Sequence, residues 1–232
     1  MKKIIIFVLA ILFVVPGFGQ AGTQTVLPEE GNQEMNQMLL YGVLHNDFEM
    51  VQKAIENGAN VNIYENKMRL NTPLIMSLRN PQIVDYLIGL GADVNAQVNL
   101  RGWPGAKETP LMKSVGSFNL VAIQKLTESG AYVNFEDMRG YRALNYAVMC
   151  DAPIKIVQYL LSVPGIEINY HTKWNDNDTP LMMAVSKQNI PVIHALLDAG
   201  ADTQQRDLKG RAAKDYAILT KNQRVIDIFF KK

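Results

Sequence analysis

Gly58-Ala59-Asn60-Val61-Asn62, Gly91-Ala92-Asp93-Val94-Asn95, Gly130-Ala131-Tyr132-Val133-Asn134 and Gly200-Ala201-Asp202 are four appearances of one phrase in a chain of 232 residues. Each is answered downstream by Thr-Pro-Leu or a relic of it: Thr72-Pro73-Leu74, Thr109-Pro110-Leu111, Arg142-Ala143-Leu144 and Ala212-Ala213-Lys214; Thr179-Pro180-Leu181 is one more. A phrase that returns at a steady interval marks structural units that stack on one another, so the architecture is constrained before any single residue is interpreted.

Working outward from the phrase, each unit reads as two helices and an extended connection. A threonine followed by proline starts the first helix: the hydroxyl caps the exposed N–H groups, and proline at the first helical position loses no hydrogen bond. After a short break, a run such as Leu120-Val121-Ala122-Ile123-Gln124-Lys125-Leu126 carries apolar residues at helical spacing. The glycine that follows, Gly130 in this unit, ends that helix in the left-handed conformation. The anchor leucines Leu39, Leu74, Leu111, Leu144 and Leu181, with Lys214 in the same place, are spaced 35, 37, 33, 37 and 33. Neither helix of a pair can bury its apolar face alone, so the pairs are expected to stack into a solenoid.

These residues resemble the ankyrin-repeat family, whose unit of about 33 residues is marked by T-P-L-H-x-A and a closing G-A-D-V-N. Dividing the 198 residues after position 34 by that length gives six units, an all-α solenoid of helix-turn-helix pairs with finger loops. The departures are specific. Ile75, Met112 and Met182 replace the family histidine, so its hydrogen bond is lost and packing must substitute. The inter-helix break between Asn80 and Gln82 is about two residues short, Ser162 to Glu167 lengthens the end of the fourth unit, and Arg142-Ala143 weakens one cap. The first and last units are expected to act as caps with wet outer faces.

The N-terminus reads as a signal. Met1-Lys2-Lys3 is followed by an apolar run from Ile4 to Val15 and a small-residue tail to Ala21, too short for a bilayer span, which needs about 20 apolar residues. The expected organisation is a signal peptide over 1–20, a flexible leader over 21–34 and repeats over 35–232; an uncleaved anchor is the competing reading. The short Lys-Lys signal looks bacterial, so the chain is expected to be an ankyrin-repeat protein of exported bacterial type, in the periplasm or secreted. Without the two basic residues of the signal, 21 basic face 22 acidic residues, which gives no general attraction to nucleic acid or membrane. Charge is uneven, however: residues 206–232 carry net +5 and residues 29–205 net −6, which reads as a solvated end-cap or a basic docking patch. A single cysteine, Cys150, excludes an internal disulfide and is expected to be buried at a helix end.

Nothing in the sequence asks for an enzyme, a metal or a cofactor. The histidines are His45, His171 and His194, and His194 has a carboxylate, Asp198, four residues on, on an outward face. Asn175-Asp176-Asn177-Asp178 hints at a calcium loop, but Thr179 and Pro180 stand where glycine is needed. A turn is the better account, with Asn177 taking the left-handed role that Gly140 and Gly210 take in their units. An ion-dependent or enzymatic site using His171, Asp176 and Asp178 is the alternative.

Recognition remains. The family resemblance implies a concave surface made by the fingers, here residues 62–71, 95–108, 134–141, 169–178 and 202–211, and the inner helices beside them. Those fingers carry Tyr64, Arg69, Arg101, Trp103, Tyr141, Arg142, Lys173 and Trp174, rich in the residue types that dominate binding hot spots. Both tryptophans lie in fingers, and either anchor a partner or staple their own loops. The expected function is therefore non-enzymatic binding of a protein by a monomer. Protection or inhibition of an exported enzyme is one form, and a host-directed effector is the other.

Overall fold

The computed structural model describes residues 32–66, 69–100, 103–173 and 175–231. The expected signal peptide and all but the end of the leader lie outside them. Helices follow in six pairs: α1 (Gln33–Leu44) with α2 (Phe48–Glu56), α3 (Pro73–Met76) with α4 (Pro81–Gly89), and α5 (Pro110–Gly116) with α6 (Leu120–Glu128). Then come α7 (Ala143–Met149) with α8 (Ile154–Ser162), α9 (Pro180–Ser186) with α10 (Ile190–Asp198), and α11 (Ala213–Thr220) with α12 (Gln223–Phe230). The first helix of each pair contacts the first helix of the next, and the core runs through the stack. Leu39, Leu74, Leu111, Leu144 and Leu181 are each at most 1% exposed, so the leucine spacing is the axis of the core.

The caps act as the residue types require. Thr72, Thr109 and Thr179 accept from the N–H groups of Ile75, Met112 and Met182 at 3.3, 3.4 and 3.3 Å. Where the threonine is lost, the fourth residue of the motif supplies the bond: Asn145 accepts the Arg142 N–H at 3.1 Å, and Asp215 the Ala212 N–H at 2.8 Å. Second helices have their own caps, Asp47, Asn80, Asn119, Asn189 and Asn222. Between the two helices of a pair the chain turns through left-handed residues, Asn46, Phe118, Asp151, Gln188 and Lys221. The second unit has no such residue. Its inner helix is three residues shorter, four in α3 against seven in α5, and the break after it is one residue longer, so the two residues the unit lacks come from the helix and not from the break.

Two observations differ from expectation. The second finger is a β-hairpin, with β1 (Val98–Leu100) antiparallel to β2 (Trp103–Glu108) and Val98 opposite Glu108. Its extra length lets two extended segments pair, which the shorter fingers cannot do. The last unit is not wholly wet on its outer face, because Ile218, Leu219 and Phe230 are exposed beside Lys214, Lys221 and Arg224. Ile218 stands where Val115, Val148 and Val185 are buried by a following unit. Among the described residues no helix is long and apolar enough to cross a membrane.

Candidate functional site: the row of fingers

Backbone hydrogen bonds join each finger to the next. Asn99 N–H donates to Arg69 O at 2.9 Å, Met138 to Ala106 O at 3.0 Å, Lys173 to Arg139 O at 3.2 Å and Leu208 to Asp176 O at 2.8 Å. The third contact needs glycine. Gly140 has φ +73, and a Cβ there would lie 2.7 Å from both the backbone N and Cγ of Lys173. In the fourth finger, Asp176 and Asn177 adopt φ 63 and 70, so Asn177 does fill the left-handed role that Gly210 fills at φ 74.

Beneath the tips lie two matching polar clusters, 70 residues apart. In the third finger Asp137 accepts the N–H groups of Arg139 and Tyr141, both at 2.8 Å; in the fifth Asp207 accepts those of Lys209 and Arg211, both at 2.8 Å. A tyrosine from the adjoining inner helix completes each. The Tyr146 hydroxyl is 2.6 Å from Glu108 and 3.0 Å from Asp137, and the Tyr216 hydroxyl is 2.6 Å from Asp178 and 2.8 Å from Asp207. A guanidinium, Arg139 in one and Arg211 in the other, donates to both the tyrosine hydroxyl and the aspartate. Burial and the Glu108 contact push the Tyr146 phenol far above its ordinary range, so it stays a neutral hydroxyl. The carboxylates are thus consumed in holding fingers to helices.

Tyr141 and Arg142, expected on the finger face, are turned inward instead. Tyr141 is 4% exposed and meets the Tyr146 ring edge-on, with centroids 6.1 Å apart. Arg142 is 8% exposed, stacks over Tyr170 at 3.3 Å and binds Glu167 at 2.6 Å and Glu136 at 3.2 Å. Lys173, exposed, reaches the same Glu136 at 2.7 Å. That lysine, with Tyr170 and Arg142, holds the Glu136 carboxyl down at about 2, while burial and Glu136 push Tyr170 up to about 12. Tyr64 and Arg69 form a separate pair in the first finger, with the guanidinium 5.0 Å from the ring centre. Trp174 and Arg101 lie outside the described residues, and Trp103 is described through its backbone in β2. The sequence reading missed Met138 and Leu208, which are 42% and 78% exposed at the tips of the third and fifth fingers. Their shared place inside Asp-x-x-Gly, Asp137 to Gly140 and Asp207 to Gly210, was the available signal.

His194 and Asp198 are both exposed on α10, as the outward spacing implied. Among the described residues no three His, Cys, Asp or Glu side chains are arranged to hold a metal ion. Cys150 sits half-buried at the end of α7, and burial pushes its thiol up, opposite to what a nucleophile needs.

Comparison with known proteins agrees with this geometry. The family model for ankyrin repeats matches in three copies, over residues 79–172 and 156–232. An ankyrin repeat protein of fowlpox virus is 28% identical over 167 residues, covering 71% of this chain and 48% of its own length. Tankyrase, a poly(ADP-ribose) polymerase of Caenorhabditis elegans, is 30% identical over 131 residues, covering 54% of this chain and 5% of the polymerase. An interferon antagonist of monkeypox virus is 30% identical over 96 residues, covering 41% of this chain and 32% of the viral protein. The chain therefore spans about half, or less, of these relatives.

Proposed function

This chain belongs to the ankyrin-repeat proteins, a family that generally mediates protein–protein interaction, and from that membership we propose that it is a non-enzymatic module that grips a protein partner with its fingertips. The observation that carries the reading is the contrast between the bases and the tips of the fingers. Bases and flanks are locked by buried carboxylates, tyrosines and guanidinium groups, whereas Met138 and Leu208 stand exposed on a row that needs no rearrangement to be covered. Exposed apolar side chains on a rigid row are the arrangement that yields affinity at low ordering cost. The engagement of His171 with Gln205, Asp176 with Lys209 and Asp178 with Tyr216 supports the non-enzymatic reading over an ion site on the fourth finger.

Export from the cell follows from the signal-like N-terminus, and with it a partner in the periplasm or outside. There the module protects or inhibits an exported enzyme. The viral relatives favour the second form, a host-directed role. Crosslinking in the native compartment, followed by mass spectrometry of what is caught, identifies the partner and separates the two. The paired change Met138→Glu and Leu208→Glu is expected to weaken that complex at least about tenfold while leaving the thermal midpoint of the free protein within about 2 °C. Affinity held within about twofold would reject the tip surface. Replacing Trp103 and Trp174 by alanine tests in the same assay whether the tryptophans anchor the partner.

A further inference from the structure

Three adjoining fingers, residues 134–141, 169–178 and 202–211, carry six acidic and five basic residues, a near balance that hides a division by depth. None of the six carboxylates is fully exposed: Asp137 and Asp207 are buried, and Glu136, Asp176, Asp178 and Asp202 are half-buried. Each is also occupied within the protein. Asp137 and Asp207 take backbone N–H groups and a guanidinium, Glu136 takes Arg142 and Lys173, and Asp176 takes Lys209 and Arg211. Asp178 lies 2.6 Å from the Tyr216 hydroxyl, and Asp202 accepts from Gln204 and Gln205 at 2.8 and 3.0 Å. The cations divide the other way. Arg139 and Arg211 are spent on the clusters below, but Lys173, Arg206 and Lys209 are exposed, the two lysine side chains at 64% and 60%. An ammonium carries three N–H donors, and the single carboxylate beside each lysine does not use them all.

The backbone bonds between fingers set the order of what stands on top. Met138 N–H is bonded to Ala106 O, next to the exposed Lys107 of the second finger. Lys173 N–H is bonded to Arg139 O, one residue past Met138, and Leu208 N–H to Asp176 O, three residues past Lys173. The row therefore runs Lys107, Met138, Lys173, Leu208, Lys209, with cations alternating with the two apolar tips. Packed helices lie about 8–10 Å apart, so Met138 and Leu208, two units apart, are separated by roughly 16–20 Å. An extended chain covers that distance in about five or six residues.

We propose that the fingertip row takes an acidic, extended segment of a partner protein: two apolar side chains about five or six residues apart cover Met138 and Leu208, and carboxylates between and beyond them meet Lys107, Lys173 and Lys209. This rests on the fingertip reading and adds the partner's chemistry to it. The segment is extended because the row is single file, each tip and each cation following the last along the stack. A nucleic acid also brings negative charge, but its phosphates follow one another without a gap, and the aliphatic side chains between these cations offer them nothing. Burial is what makes the face cationic. Carboxylates and cations are nearly equal in number, but the carboxylates lie beneath and are already bonded, so an approaching chain meets the ammonium groups first.

Selection from a displayed library of random peptides of about twelve residues against the full chain, followed by fluorescence anisotropy of the enriched peptides, tests this. They are expected to carry net negative charge and two apolar residues about five or six apart, and to lose at least about fivefold in affinity between about 0.05 M and about 0.5 M salt. Lys173→Gln with Lys209→Gln should weaken them about tenfold. Lys107→Gln, which breaks no ion pair among the described residues, should weaken them about threefold with the thermal midpoint unchanged. Enriched peptides that are neutral or basic, or affinity held within about twofold by both sets of changes, would overturn the acidic partner, as would a selection that enriches nothing. A single-stranded DNA of about twenty nucleotides bound as tightly as the peptides would overturn the choice of a protein. Met138→Ser with Leu208→Ser, which removes apolar surface without adding charge, separates the two readings. If it leaves affinity untouched, the fingertip site itself is wrong; if it abolishes binding of neutral peptides, the site stands and only the acidic partner is lost.

Discussion

Asn134 and Gly165 are bound across two units. The Asn134 side-chain nitrogen donates to the Gly165 carbonyl at 2.8 Å, and its oxygen accepts the Glu167 N–H at 3.0 Å. Asn62 repeats the bond to Gly91 at 3.1 Å and accepts from Asp93 at 2.7 Å, while Asn95 reaches Gly130 at 3.4 Å and accepts from Tyr132 at 2.8 Å. The last residue of the opening phrase is therefore a stitch to the next unit. Asn134→Ala removes two hydrogen bonds at about 1 kcal/mol each, and a loss of about 2 kcal/mol in urea denaturation is expected. Asn134→Asp should give no rescue, since it keeps the acceptor but places charge against the Gly165 carbonyl.

Gly140 and Gly210 hold the same conformation, φ +73 and +74, in different surroundings. Alanine at Gly210 meets nothing within 4 Å, so its cost is that of the left-handed backbone, about 1–2 kcal/mol. Alanine at Gly140 also collides with the backbone N of Lys173, which cannot move without breaking its bond to Arg139. Gly140→Ala is expected to be the more damaging of the two by at least about 1 kcal/mol, read as the difference in urea midpoints at constant slope.

Lys221 is a left-handed residue at φ 56 on an exposed turn. Glycine relieves that backbone at the expense of a more flexible unfolded chain, a smaller term. Lys221→Gly should raise stability by about 0.5 kcal/mol, and a fall in thermal midpoint would contradict the assignment of strain.

Acid should loosen the fingers. The Lys173 hydrogen bond, with Tyr170 and Arg142, holds Glu136 at about 2 rather than 4.5. At Asp207 burial pushes the carboxyl up, but bonds from Arg211, Tyr216 and Lys209 outweigh it and bring it to about 2 rather than 3.8. Both groups take up protons in the unfolded chain first, so their stabilisation is present above about pH 4.5 and is lost as pH falls toward 2. Thermal midpoints measured from pH 5 to 2 should decline, and Glu136→Gln, which cannot titrate, should show a lower starting midpoint and a shallower decline.

Much of the scaffold was legible in local chemistry. Thr-Pro-Leu states a capped helix start, and five leucines at a common phase all proved buried, because capping and helical periodicity act within a few residues of sequence. Asn177 could be assigned its left-handed role from residue type alone. The β-hairpin of the second finger was missed, although Val98-Asn99-Leu100 carried a trace of strand alternation, because pairing depends on which segment lies opposite. The candidate site was read less well. Tyr141 and Arg142 were of hot-spot type, but residue type does not say which way a side chain turns.

The sequence by itself determined the repeat, the helix pairs, the leucine axis and the glycines that close each unit, since each rests on backbone preference and apolar spacing. Only the tertiary structure decided how polar side chains from neighbouring units are spent: Asn134 on Gly165, Tyr146 on Glu108, Tyr216 on Asp178, Arg142 on Glu136 and Glu167. The guanidinium of the two matching clusters shows why. It comes from Arg139 in one and from Arg211, two places further along its finger, in the other, because a long side chain fills a buried site from whichever neighbouring position reaches it. Charge in a buried cluster is satisfied in space, and the pairs Tyr146–Glu108 and Tyr216–Asp178 lie 38 residues apart in sequence.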